Sequence, residues 1–337
     1  MIAVLRAILR ILRLALGWLL LLIGAAWAFG VLWFDFPIAA LRHPLAVVFL
    51  CGALAALVCV RPRWRAKLGL VIAIALIAAW WLTLKPSNDR DWQPDVAQTA
   101  WAEIGRDTVT LHNVRNCEYR TETDYTPHWE TRTAQLYQIT GIDLAIMYWG
   151  SPWMAHPIFS FRFADAPPLC FSIETRKAMG QSYSAIGGLY RQYELIYVVA
   201  DERDSLRVRT NYRHGEDVYL YRIMASPAQA RERFLEYVNA LNALHTRPRW
   251  YNAVTTNCTT DLRVQRPTNE RMPWDWRILV NGKGDELLYE RHLIATGGLP
   301  FAELKQSSQI NERARAADKD PDFSRLVREG IPGFDNE

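Results

Sequence analysis

The chain has 337 residues, of which half are hydrophobic and 22% charged, so it is long enough for about two domains and too apolar to be disordered throughout. Its net charge of +4 is unevenly spread: residues 1–84 hold one acid, Asp35, and eight bases, whereas residues 85–337 hold 34 acids and 31 bases. That mildly acidic remainder excludes a nucleic-acid binder working through a cationic face.

Three apolar runs come first, at 14–34, 44–60 and 68–84, with 21, 17 and 17 residues and no charged side chain. A spanning helix needs roughly 20 residues, with a range of about 17–25. Buried helices of a soluble protein would show a polar face, and these runs have none. Residues 1–84 therefore read as a membrane anchor of three transmembrane helices. Arg6, Arg10 and Arg13 precede the first span, and Arg61, Arg63, Arg65 and Lys67 fill the loop between the second and third. Only Arg42 lies between the first and second. The basic side stays inside, which makes the N-terminus cytoplasmic and puts residues 85–337 outside, with Trp80 and Trp81 at the outer interface. Ala26-Trp27-Ala28 loosely fits a signal-peptidase site, but the apolar stretch is long for a signal peptide. Cleavage there would still leave two spans to return the rest of the chain outside. The context that fits is a bacterial inner membrane with a periplasmic domain.

Residues 85–95 form a polar linker with two prolines, short enough to keep the outer domain, 96–305, close to the bilayer. Alternating apolar and polar residues then predict strands at 109–114, 143–148, 157–164, 169–175, 194–200 and 217–223. Phe159, Phe161 and Phe163 share one face of the third of these; Leu169, Phe171 and Ile173 share one face of the fourth. Ser226 and Pro227 read as N-cap and first position of a helix carrying Phe234, Leu235, Val238, Leu241 and Leu244 at helical spacing. A second helix should begin near Cys258 and a third cover about 285–295. Residues 306–337 read as a charged, loosely ordered C-terminal tail. The expected class is α+β, an antiparallel sheet with packed helices.

The outer domain has three cysteines, Cys117, Cys170 and Cys258. In an oxidising compartment an odd number leaves at least one thiol without an intrachain partner. Cys258 follows Thr255, Thr256 and Asn257, all good N-cap types, and so falls in the first turn of a helix. The positive end of the helix dipole lowers a thiol's pKa there and makes it a nucleophile. A buried, inert cysteine is the plainer alternative.

A thiolate needs a base. His156 precedes the phenylalanine strand and lies on the face away from its aromatic rings. The next strand carries Ser172 and Glu174 on the corresponding face. If the hairpin through Asp165-Ala166-Pro167-Pro168 centres near residue 165 or 166, paired residues sum to 330 or 332, and Glu174 comes opposite or diagonal to His156. A carboxylate there fixes the imidazole's tautomer, as the third member of a triad does. The competing reading pairs Glu174 with Arg162 or Arg176. No HExxH, CxxC or paired-histidine spacing points to a metal, and no glycine-rich nucleotide loop points to a cofactor. Trp149, Trp153, Trp274 and Trp276 read as packing residues, or as an apolar wall for an acyl chain if they flank the cleft.

Six blocks occur in order: Val114-Arg115-Asn116; Glu130-Thr131-Arg132-Thr133; Tyr148-Trp149-Gly150-Ser151-Pro152-Trp153-Met154-Ala155-His156; Ser172-Ile173-Glu174-Thr175-Arg176; Arg209-Thr210-Asn211-Tyr212-Arg213; and Thr255-Thr256-Asn257-Cys258-Thr259-Thr260. They resemble the signature blocks of the Lnb N-terminal periplasmic domain family, over roughly residues 92–305. The resemblance implies a papain-like, NlpC/P60-type thiol fold in permuted order, with the histidine strand before the cysteine helix. It also implies lipoprotein N-acyl transfer, the activity of the enzyme that gives the family its name. On that reading Cys258, His156 and Glu174 form the catalytic set, and the partners are the membrane and a lipid or lipoprotein substrate. Two rivals stand beside it. One is a thiol hydrolase on the same fold, acting as a peptidoglycan amidase or peptidase or a lipid esterase. The other is a membrane-tethered binding domain without turnover.

Overall fold

The computed structural model describes residues 2–265, 273–278 and 280–334. They fall into two compact units, residues 1–86 with 183–193, and residues 87–182 with 194–337.

The first unit holds helices α1 (Ile2–Asp35), α2 (Ala39–Cys59) and α3 (Arg63–Thr83). Each is long and apolar enough to cross a membrane, and together they anchor the protein. The helices start before the apolar runs because arginine is itself a good helix former. At 1.5 Å per residue α1 reaches about 50 Å, well beyond a hydrocarbon core of about 30 Å, so its arginine-bearing turns need not enter the core. Asp35, the one acid of residues 1–84, ends α1 and accepts hydrogen bonds from Trp81 Nε1 at 2.6 Å and from the Arg191 backbone N–H at 3.0 Å. Tyr190 stacks on Phe34 with centroids 5.2 Å apart and lies so close to Gly30 that a Cβ there would sit 1.9 Å from its hydroxyl.

The second unit is built on strands β1 (Trp101–Ile104), β2 (Thr108–Arg115), β3 (Glu118–Tyr119), β4 (Tyr125–Thr126), β5 (Trp129–Gln135), β6 (Ile139–Trp149), β7 (Ala155–Phe163), β8 (Leu169–Arg176), β9 (Glu194–Asp201) and β10 (Glu216–Arg222). The main sheet has eight strands in the order β1-β2-β9-β8-β7-β6-β10, with β5 also on β2; β3 and β4 form a small ribbon. The class is α+β, as the sequence predicts, but the sheet is mixed. β2 and β9 pair in parallel at Arg115 and Ala200. No hairpin joins those two strands, so nothing forces opposite directions on them.

Helix α4 (Glu202–Arg207) follows β9, and α5 (Pro227–Thr246) follows β10. The Ser226 side chain and Gln229 close a capping box at the start of α5, with Pro227 at its first position. Phe234 and Tyr237 of α5 press on the phenylalanine face of the sheet: Phe161 meets Phe234 at 5.3 Å, and Phe171 meets Tyr237 at 5.4 Å. Then come α6 (Cys258–Gln265), α7 (Gly284–Glu290), α8 (Phe301–Ser307), α9 (Asn311–Ala316) and α10 (Phe323–Leu326).

The last two helices correct the reading of residues 306–337 as a loose tail. Ile310, Ala314, Phe323, Val327, Ile331 and Phe334 are buried against Met147, Ile158, Cys170, Val218 and Leu220 on the second face of the sheet. Arg328 reaches in beside them, donating to Asp143 at 2.9 Å and to Glu202 at 2.7 and 2.8 Å. A minority of apolar residues, hidden by high overall charge, suffices to dock the segment. Residues 335–337 of that tail lie outside the described residues.

Candidate active site

Cys258 opens α6. Asn257 caps the helix: its Oδ1 accepts the N–H groups of Thr259 and Thr260, both at 3.0 Å. One turn on, buried Asp261 accepts from Arg249 at 3.0 Å and from the Tyr197 hydroxyl of β9, which pins the helix to the sheet. Cys258 itself is partly accessible.

His156 is the second residue of β7. In the β7–β8 hairpin Ile158 faces Ser172 and Phe159 faces Phe171, the register whose partners sum to 330. Two residues further along that line, His156 meets Glu174. Imidazole Nε2 lies 2.7 Å from Ser172 Oγ and 3.1 Å from Glu174 Oε1, and the Ser172 hydroxyl donates to the same carboxylate oxygen at 2.7 Å. The single Ser172 proton is committed to Glu174, so Ser172 can only accept from the ring. Nε2 therefore carries a proton. His156 and Cys258 act on one another electrostatically, each shifting the other's titration.

Arg209 completes the set. It sits in a π-helical turn, Val208–Tyr212, directly after α4, and donates to Glu174 at 2.9 Å and to Glu216 at 3.3 Å. Single π turns interrupt regular helices most often at functional sites. Glu174 pairs with neither rival arginine: Arg162 faces Asp143, and Arg176 donates to the carbonyls of Val96 and Ala97.

The charges reinforce one another. Burial would push the His156 pKa down, but Glu174 and the thiol raise it to about 9. Burial would push the Cys258 thiol up, but the hydrogen bond and positive charge of His156 bring it below its ordinary value. Burial likewise opposes ionisation of Glu174, and His156 and Arg209 overcome it, holding the carboxyl well below the usual range. A thiolate–imidazolium pair with an ionised carboxylate behind it is the arrangement these directions favour. The other two domain cysteines are the opposite case. Burial and Asp204 push the Cys117 thiol up to about 12, and burial and Glu202 push the Cys170 thiol well above its ordinary value. Both are unbridged.

A 3-10 turn, Asn281–Lys283, closes one side. Asn281 Nδ2 lies 3.6 Å from the Cys258 sulfur, and its Oδ1 accepts the Ala155 N–H at 2.9 Å. The turn is clamped to residues 152–154: Gly282 N–H donates to Trp153 O at 3.1 Å, and a Cβ on Gly282 would meet Pro152 O and Trp153 C at 2.4 Å. Trp153 and Trp276 stand beside it with ring centroids 6.5 Å apart, 52% and 49% exposed. Met154 and Trp274 are exposed as well.

The sequence reading thus names Cys258, His156 and Glu174, and the structure brings the three together. It misses Asn281 and the linking roles of Ser172 and Arg209. Nothing in the local sequence singles out Asn281-Gly282, and Arg209 stands in the sequence only as the first residue of one of the family-like blocks, with no role attached. A cleft of about 1110 Å³ lies elsewhere, lined among others by Cys117, Tyr119, Arg203, Arg207 and Lys319 and by none of the three candidate residues. Among the described residues no cluster of His, Cys, Asp and Glu is arranged to hold a metal ion.

Residues 125–282 match the Lnb N-terminal periplasmic domain family. The chain is thus a membrane-anchored protein carrying that periplasmic domain. No curated protein and no solved structure matches it.

Proposed function

We propose that this protein is a cysteine-dependent acyltransferase acting on a lipid-modified substrate, with Cys258 as nucleophile, His156 as acid and base, and Glu174 as the group that orients the imidazole. The fold is then a papain-like one in permuted order, since β7 with its histidine precedes α6 with its cysteine. The N-terminus is cytoplasmic and the thiol works on the periplasmic side.

The Cys258 thiolate attacks the carbonyl carbon of an ester in a lipid or lipoprotein. The C–O bond breaks, His156 returns a proton to the departing alkoxide, and the acyl chain remains on sulfur as a thioester. An amine, such as the N-terminus of a lipoprotein, attacks that thioester with His156 taking its proton, and the amide leaves. Water in place of the amine turns the same first half into hydrolysis. The Cys258 N–H takes no part in the Asn257 cap among the described residues and is the backbone donor assigned to the oxyanion; one such donor is worth about 3–4 kcal/mol in comparable sites.

The observation that carries this reading is the His156–Glu174 pair at 3.1 Å together with the mutual influence of His156 and Cys258, the thiol's pKa lowered and the imidazole's raised. The half-exposed Trp153, Trp276, Trp274 and Met154 favour an apolar acyl donor over a polar peptide. The test compares lipoprotein masses from cells producing the native protein and Cys258→Ala. The acyl mass increment should disappear in the variant while its circular dichroism stays native. Transfer that persists in Cys258→Ala ends the thiol mechanism.

A further inference from the structure

We propose that Asn281 is a catalytic residue, its side-chain amide donating to the oxyanion that forms when Cys258 attacks a carbonyl. The inference rests on the thiol acyl-transfer reading and adds to it a donor from a segment remote in sequence from both the cysteine helix and the histidine strand.

The argument begins with which way the amide faces. Asn281 Oδ1 lies 2.9 Å from the Ala155 backbone nitrogen, which can only donate. The oxygen must therefore face Ala155, and the NH₂ group must face the other way, toward the Cys258 sulfur 3.6 Å distant. The orientation is set by chemistry rather than by choice of rotamer. Ala155 is the residue before His156, so one amide spans the base and the nucleophile.

Rigidity is the second part. An oxyanion donor works because it is already in place when charge develops. The backbone beside Asn281 is held from three directions: Gly282 N–H on Trp153 O at 3.1 Å, the Tyr148 hydroxyl on Gly282 O at 3.1 Å, and Val280 N–H on Trp276 O at 3.2 Å. Gly282 is packed against the 152–154 backbone too closely for any Cβ. Such a clamp exceeds what a solvent-facing turn requires.

In the step itself the sulfur lone pair forms the C–S bond and the carbonyl π pair moves onto oxygen. That oxygen lies one bond from the carbon under attack, within the region bounded by the sulfur, the Asn281 NH₂ and the Cys258 N–H. Collapse returns the pair to the carbonyl and expels the alkoxide, which takes its proton from His156.

The test uses the full-length protein in detergent with p-nitrophenyl octanoate as acyl donor, and iodoacetamide as a reagent that alkylates the same thiolate without forming an oxyanion. Asn281→Ala removes both halves of the amide. Asn281→Asp keeps an acceptor for the Ala155 N–H and deletes the donor, so it serves if the alanine variant fails to fold. Rates are taken on the high-pH plateau, where the thiol is ionised in every variant. For both variants kcat for nitrophenol release should fall about 10²–10³-fold with KM within about threefold, while plateau alkylation stays within about threefold of native. Acylation that is unchanged, or alkylation that falls as far as acylation, overturns the proposal and leaves Asn281 a structural residue. If the native protein forms no Cys258 thioester by mass spectrometry, the acyl-transfer reading fails and takes this one with it. A native thioester with an unaffected Asn281 variant sinks this inference alone.

Discussion

Arg209 donates to Glu174 Oε1 at 2.9 Å, the same carboxylate oxygen that lies 3.1 Å from His156 Nε2. The guanidinium therefore acts on the imidazole through the carboxylate it holds. Arg209 is 6% exposed and also carries Glu216. Replacing it by alanine removes one of the two cations beside each carboxylate, leaving Glu216 with Arg213 and Glu174 with His156; losing a buried hydrogen bond to a charged group in this way costs about 1.5–3 kcal/mol. Urea unfolding of Arg209→Ala should show that loss, and Arg209→Lys should recover only part of it, because an ammonium lacks the guanidinium fork. A midpoint equal to native would mean that the pairing is incidental.

The imidazole and the thiol titrate against each other. With His156 raised to about 9 and Cys258 brought down, the ion pair exists at neutral pH. Alkylation by iodoacetamide should be fast at pH 7, and its inflection should lie below the ordinary thiol value. In His156→Ala the inflection should move up to that value or beyond. The histidine's contribution to folding has a definite sign: its folded pKa is above the unfolded 6.5, so the contribution is complete below about pH 6.5 and fades as pH rises through about 9.

Glu174→Gln separates charge from shape. The amide still fills the space between Ser172 and Arg209, but it no longer favours the protonated ring. The His156 pKa should fall from about 9, read by NMR titration of the ring proton. Turnover should fall by about 10²–10⁴-fold, as it does when a triad carboxylate is neutralised. A His156 that titrates as in the native protein would break the proposed link.

Much of this site was legible in the sequence because strands are periodic. Parity alone put His156 and Glu174 on a common face, and the length of the turn fixed their register to within one step. The N-cap residues before Cys258 likewise announced a helix start. Asn281 was hidden for the opposite reason: a 3-10 turn has no period, and what matters is its contact with residues 152–154, more than a hundred positions away. Strands β1 and β5 escaped as well, β1 because it is only four residues long, and β5 because it is mostly half exposed and rich in Thr, Glu and Gln rather than apolar. The parallel pairing of β2 with β9 depends on the whole path of the chain and leaves no local trace.

Gly282→Ala examines the clamp directly. A methyl group would stand 2.4 Å from Pro152 O and Trp153 C and 2.7 Å from Met154 N, all backbone atoms that cannot swing aside. Overpacking of this kind costs about 1–3 kcal/mol. The melting temperature should fall, and Asn281 should lose its position on Cys258. A variant with native stability and native acylation would show that the turn is free to relax.

The docked C-terminal segment offers a simpler stability measurement. Phe323 is fully buried between the sheet and α9, and Phe323→Ala should cost about 3–5 kcal/mol. A change under 1 kcal/mol would mean that this stretch contributes little to the core.

That same segment sets an order for folding. Residues 310–334 cover Met147 and Val218, and Arg328 pairs with Asp143 of β6 and Glu202 of α4. Before that stretch docks, those strands have an uncovered greasy side, and Glu202 lacks its arginine while Asp143 keeps Arg162 and Arg222. The second face of the sheet is therefore completed by a stretch of chain about a hundred residues or more beyond most of the strands it covers, so its core cannot close from those strands alone.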